Sequence, residues 1–270
     1  MTNPFTLPTY RPQSAIESQP YGAGEIRWYA ANPRIHHRVI TLPPGEMLRD
    51  TAQLRRVFPG DTMIHVMSAT RMLITNPITG ETHVISDGES ALIPANTPYH
   101  VKNHGENTLI FLEVVGLAET PPVLPPILEH PKYGQDEWFG RYPLERAAMQ
   151  PTIHTIRHDE ALWRVEGEAQ QILAGVKVAT PLLTAGIGSL LANTTHQTAS
   201  IHAGDECLYA LEGTLTVNLP QHAAEYSLKP GDAFVIPAGT PHRYVNATDH
   251  PVRWIFAIAP GVYSTVSSHP

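Results

Sequence analysis

The chain has 270 residues, 42% hydrophobic and 16% charged, with a formal net charge of −7. That length and apolar share supply one large or two modest cores, and the acidic balance argues against a nucleic-acid groove, which needs a basic face. The single cysteine, Cys207, excludes an intrachain disulfide.

The start, Met1-Thr2-Asn3-Pro4-Phe5, has no basic stretch followed by an apolar core, and no apolar run reaches membrane-spanning length. A cytoplasmic protein without a membrane partner is therefore expected. The 26 prolines and 19 glycines suit an all-β chain with many tight turns.

Residues 1–34, rich in Pro, Ser, Tyr and Gly, read as an N-terminal arm with one strand at Glu25-Ile26-Arg27-Trp28-Tyr29. Residues 35–118 hold short alternating runs such as Met63-Ile64-His65-Val66-Met67 and Leu109-Ile110-Phe111-Leu112-Glu113-Val114. Turns such as Pro43-Pro44-Gly45 and Pro94-Ala95-Asn96-Thr97-Pro98 separate them, the pattern of a sandwich or barrel. Residues 119–152 form a Pro-rich linker containing Pro121-Pro122-Val123-Leu124-Pro125-Pro126, with a short helix or an irregular connection over Asp136 to Met149. From 153 to 270 the strand pattern returns.

The two halves repeat one another. Gly88, Pro94, Thr97, Pro98 and Asn103 recur at one constant offset as Gly231, Pro237, Thr240, Pro241 and Asn246. The run Ile64–Ala69 recurs as Leu208–Gly213 at an offset one residue longer, so the chain reads as two copies of one β-domain.

The chemistry concentrates in the second copy. In an extended segment, residues an even number apart project to one side, so Ser200, His202 and Glu206 are expected to face inward together, joined by His242 from a strand entered through the Pro237-Ala238-Gly239-Thr240-Pro241 turn. Two imidazoles and one carboxylate suit Fe, Mn, Ni, Co or Zn and leave open positions for water or substrate. In the first copy Phe58, Thr62 and Tyr99 stand where His202, Glu206 and His242 stand in the second. His100 is one residue out of phase with His242 and should face the other way unless a bulge turns it inward. His196 is a candidate substitute ligand or a turn residue.

Around the cluster, Tyr244 shares parity with His242 and is the candidate catalytic side chain. Ser200, Arg164 and Lys177 are candidate substrate-binding residues; the other reading of Arg164 and Lys177 is as solvated strand-edge charges. No Gly-rich phosphate loop, nucleophile elbow, Cys/His zinc cluster or Rossmann fingerprint is present.

Two segments resemble the motifs of the cupin superfamily. His202, Glu206 and Gly213 match the first motif, with Ser200 in place of its leading histidine. Gly231, Pro237, Gly239, His242 and Asn246 match the second motif at every fixed position. The resemblance implies two tandem cupin (double-stranded β-helix, jelly-roll) barrels, with one divalent transition metal (Fe, Mn, Ni or Zn) on His202, Glu206 and His242 in the C-terminal barrel alone. It also implies a homodimer and a small-molecule substrate. The expected function is that of a metal-dependent enzyme acting on a small oxygen-rich metabolite, as an Fe(II)-type dioxygenase or a related isomerase, lyase or hydrolase. The alternative is a non-catalytic bicupin that binds a carbohydrate or metabolite.

Overall fold

A computed structural model describes residues 6–122, 124, 152–166 and 171–261. Its regular structure is strand with short 3-10 turns, as the turn-rich composition requires, and among the described residues no helix is long and apolar enough to cross a membrane. The strands in the first half are β1 (Thr9–Arg11), β2 (Gln19–Tyr21), β3 (Gly24–Ala31), β4 (Ile35–Leu42), β5 (Met47–Leu48), β6 (Gly60–Val66), β7 (Met72–Thr75), β8 (Thr82–Ile85), β9 (Ser90–Ile93), β10 (His100–Asn103) and β11 (Leu109–Leu117). The second half contributes β12 (His154–Ile156), β13 (Leu162–Glu166), β14 (Ile172–Ala179), β15 (Thr184–Leu190), β16 (Thr194–Thr195), β17 (Asp205–Glu212), β18 (Leu215–Leu219), β19 (Ala224–Leu228), β20 (Ala233–Ile236), β21 (Arg243–Asn246) and β22 (Val252–Ala259). The expected helix or irregular connection over Asp136 to Met149, and most of the proline-rich linker, lie outside the described residues.

The chain divides into two units. The N-terminal unit comprises Ser18–Trp28 and Arg38–His158; the C-terminal unit comprises Met1–Glu17, Tyr29–His37 and Asp159–Pro270. The boundaries expected at 34, 118 and 152 differ from these for a structural reason. The 1–34 segment is built into sheets: β1 pairs with β20 through Tyr10 opposite Phe234, while β2 and β3 pair with each other. At the other boundary, β12 pairs with β9 through Thr155 opposite Ala91.

Each unit is a jelly roll of one seven-stranded and one four-stranded sheet. The orders are β12-β9-β6-β11-β4-β3-β2 and β5-β10-β7-β8 for the first, and β1-β20-β17-β22-β15-β14-β13 and β16-β21-β18-β19 for the second. Strand alternation fills the interiors. In β18, Leu215, Val217 and Leu219 are buried while Thr216 and Asn218 are half-exposed, the pattern of a sheet with one face on a core. The C-terminal core packs these residues with Leu208, Phe234, Ile236, Val252 and Trp254, each large apolar side chain contributing roughly 1.5–3 kcal/mol on burial.

The repeat extends to individual hydrogen bonds. Gly88 N–H donates to Val66 O, and Gly231 N–H to Ala210 O, at 3.0 and 2.9 Å; both glycines have positive φ, 74° and 92°, a region that strains other residues. Ala95 N–H donates to Asp61 Oδ1 at 2.9 Å and Ala238 N–H to Asp205 Oδ1 at 3.0 Å. Asn103 Nδ2 donates to Asn107 O, and Asn246 Nδ2 to His250 O, at 2.8 and 2.7 Å. The fixed Gly and Asn positions of the motif thus close turns in both units and need no metal to explain them.

A buried histidine adds to the pH sensitivity of the fold. His37 is fully buried against Tyr29 and Tyr209, and neither ring nitrogen has a hydrogen-bond partner. Burial lowers its pKa from 6.5 to about 3. Between those values the unfolded chain binds the extra proton, so stability rises with pH through the window and is lost as pH falls from about 6.5 towards 3. The slope is about 1.4 kcal/mol per pH unit for one group. His37→Leu is therefore expected to gain about 2 kcal/mol over the parent chain at pH 5 and to flatten the profile. Urea titrations across that range test this, and parallel profiles would contradict it.

Candidate metal centre

The segment Ser200–Gly204 is not a continuous strand, contrary to the simple alternation argument. Ser200 forms an isolated antiparallel bridge with His242, their backbone N–H groups donating to each other's carbonyls at 2.8 and 3.1 Å. The chain then bends, and β17 starts at Asp205. Gly204 permits the bend because a Cβ there would lie 2.6 Å from the Ala259 carbonyl carbon. The Gly239 N–H donates to His202 O at 2.8 Å and ties the turn before His242 to the segment carrying His202. Asp205, which sequence reasoning did not single out, anchors the same turn through Ala238 N–H and accepts from Asn32 Nδ2 at 2.9 Å. Its only sequence signal was its recurrence as Asp61.

These contacts bring the three expected ligands together. Donor atoms of His202, Glu206 and His242 lie within 4.8 Å of one another, the one group of its kind among the described residues. Glu206 Oε2 is 3.0 Å from His242 Nε2 and 3.6 Å from His202 Nε2. His242 Nδ1 sits 3.0 Å from Thr240 O; because a carbonyl only accepts, Nδ1 carries the proton and Nε2 turns to the cluster. Tyr244 donates its hydroxyl to Glu206 Oε1 at 2.9 Å. Glu206 Oε2 itself is buried with no hydrogen-bond partner of its own.

The electrostatics suit a cation. Burial pushes the Glu206 carboxyl up, but the neighbouring His202 and His242 and the hydrogen bond from Tyr244 outweigh it and hold it below the usual range. For His242 burial acts downward and the Glu206 charge overcomes it, raising its pKa. Burial and the same charge raise the Tyr244 hydroxyl well above its ordinary value, so it stays protonated. A buried carboxylate oxygen facing two imidazole nitrogens, with no hydrogen bond of its own, is the donor set a divalent transition metal fits.

A cavity of about 60 Å³ adjoins the cluster, lined by Ser200, His202, Glu206, Tyr244, Trp254, Phe256 and other side chains. Larger depressions, of about 490 and 510 Å³, are open surface grooves lined by other residues, such as Arg49 in one and Arg71 in the other. The remaining sequence candidates fall elsewhere. His196 stacks on the Tyr244 ring at 6.2 Å and is not in the ligand group. Arg164 is exposed on β13, 3.9 Å from Glu166. Lys177 is buried at the register shift between Val176 and Val178. Neither lines the cavity.

In the N-terminal unit the positions equivalent to the ligands build something else. Phe58 and Tyr99 cover guanidinium groups, Arg38 lying 4.7 Å from the Phe58 ring and Arg56 4.5 Å from the Tyr99 ring. Arg56 occupies the place of Ser200, its carbonyl accepting from Tyr99 N–H. Both arginines converge on Glu113, which takes the place of Phe256. Arg38 Nε donates to Oε1 at 2.6 Å, while Arg56 Nη2 and the Tyr99 hydroxyl reach Oε2 at 2.5 and 2.6 Å. Burial would raise the Glu113 pKa, but Arg38 and Arg56 lower it to about 2. His100 stays out of this cluster, its Nδ1 accepting from Asp50 N–H at 2.8 Å.

The model of one protein family, described as a cupin domain, matches residues 189–258. No curated protein sequence matches the chain. Among solved structures it is similar to a glyoxylate-induced protein from Pseudomonas aeruginosa, at TM-score 0.69 and 13% identity over 94% of this chain and 89% of that one. It is also similar to oxalate decarboxylase from Lactobacillus farciminis in a formate complex, at TM-score 0.65 and 13% identity over 94% and 86%. A third similar structure is the oxalate decarboxylase of Bacillus subtilis, described for its Mn(II) centres, at TM-score 0.63 and 15% identity over 96% and 79%. At these identities the likeness is one of fold.

Proposed function

We propose that the chain is a two-barrel cupin, on the strength of the cupin-domain match over residues 189–258 and of its fold, and that its C-terminal barrel is a metal-dependent enzyme site for a small oxygen-bearing metabolite, with O2-dependent oxidation as its chemistry. The observation that carries this reading is the convergence of His202, Glu206 and His242 on a buried, hydrogen-bond-poor carboxylate oxygen. When bound there, a metal such as Fe(II) supplies Lewis acidity and open positions for substrate and O2.

The chain's own residues supply the rest. Thr240 O fixes the tautomer and ring orientation of His242, and the Tyr244 hydroxyl orients Glu206 while keeping a proton beside the reacting region. Ser200 offers a hydroxyl at the wall, and Ile172, Ile258 and Phe256 exclude water. Arg164 and Lys177 have no part in this reading.

The test is chelator treatment, reloading with Fe(II), and oxygen-electrode assays over a panel of small oxygenated compounds. Oxygen uptake that needs both metal and compound is expected. Stoichiometric metal with no turnover of any compound would favour the non-catalytic binding barrel instead.

A further inference from the structure

Ile172, Ala174, Phe256 and Ile258 give the cavity an apolar lining, and among the described residues no Lys or Arg lines it. One donor interrupts that lining. Trp254 lines the cavity, is 1% exposed, and its indole Nε1–H has no hydrogen-bond partner among the described residues. A buried donor without an acceptor costs about 1–3 kcal/mol, so its retention beside a cavity points to a ligand acceptor. The indole lies across Gly188, where an added Cβ would fall 2.4 Å from Cζ2 and 2.9 Å from Nε1. The missing side chain at Gly188 is what lets the ring occupy the cavity wall.

Charge narrows the ligand further. A divalent cation beside the Glu206 carboxylate and two neutral imidazoles leaves one net positive charge. A monoanion neutralises it, whereas a dianion leaves an uncompensated negative charge in a mostly apolar cavity whose one further carboxylate, Glu166, lies 3.9 Å from Arg164. Size sets the last limit, since about 60 Å³ is less than half the ~150 Å³ that admits benzene.

Building on the metal reading above, we propose that the cavity selects a small monoanionic carboxylate with a short apolar tail, one carboxylate oxygen accepting from the Trp254 indole N–H. The pair of probes that isolates this is pyruvate and oxalate, which have equal numbers of heavy atoms and differ by a methyl in place of a charged oxygen. Calorimetric titration of the metal-loaded chain is expected to show pyruvate binding at least tenfold more tightly than oxalate. Trp254→Phe should weaken pyruvate about tenfold with metal content unchanged. Gly188→Ala, which pushes the indole aside, should reproduce that loss and covers the case of a Trp254 variant that folds poorly. Oxalate binding as tightly as pyruvate, or pyruvate affinity unchanged in both variants, overturns the proposal while leaving the metal reading intact. A parent chain that takes up no metal overturns both.

Discussion

Glu113→Gln is expected to destabilise the N-terminal unit by about 3–5 kcal/mol, the scale seen when one partner of a buried ion pair is removed. The carboxylate is fully buried and accepts from Arg38, Arg56 and Tyr99 together. Glutamine keeps the shape but leaves two buried guanidinium groups without a counter-charge. Against a typical total of about 5–15 kcal/mol, that loss should be plain as a fall in the urea midpoint of the N-terminal unit. Tyr99→Phe, which removes one hydrogen bond to a charged group, should cost less, about 1.5–3 kcal/mol. The pH signature is also specific. Because the folded pKa of Glu113 is about 2, its contribution is fully present above the ordinary carboxylate pKa and is lost only as pH falls from there through about 2. That window overlaps the lower end of the range in which His37 acts and extends below it. A loss under about 1 kcal/mol would mean that the arginines escape to solvent and that the cluster is not the interior support described.

The second large effect is on metal. His242→Ala removes one of the three proposed ligands and the nitrogen closest to Glu206 Oε2. If each ligand carries a comparable share of binding energies on the order of 10 kcal/mol, affinity should fall on the order of a thousandfold. Tyr99→Phe, at the equivalent position of the other half, should leave metal content unchanged while lowering stability. Competition with a fluorescent chelator measures both variants. Equal loss of metal in the two would remove the distinction between the halves.

Much of this arrangement could be read from residue spacing. The recurrence of Gly88 to Asn103 as Gly231 to Asn246 marks the repeat because those residues close turns through backbone geometry and side-chain caps, which short sequence patterns record faithfully. The convergence of His202, Glu206 and His242 was visible for the same reason, although the chain bends at Gly204 instead of following the strand alternation that suggested it. Arg164 and Lys177, read either as substrate-binding residues or as strand-edge charges, do not line the cavity; period alone does not say which face of a strand is inside, and a register shift beside Lys177 resets the alternation.

The Arg38–Arg56–Glu113 cluster and Trp254 escaped notice since their meaning lies in partners far along the chain. Aligning the halves more fully would have raised the question, as it sets Arg56 on Ser200 and Glu113 on Phe256. A charged residue inside the apolar run Leu109–Val114 was the other signal.

Anomalous diffraction at the absorption edge of a loaded divalent metal tests the central claim most directly. One peak per chain, among His202, Glu206 and His242, is the expected result. Absence of that peak, or one of equal height within the N-terminal unit, would contradict it.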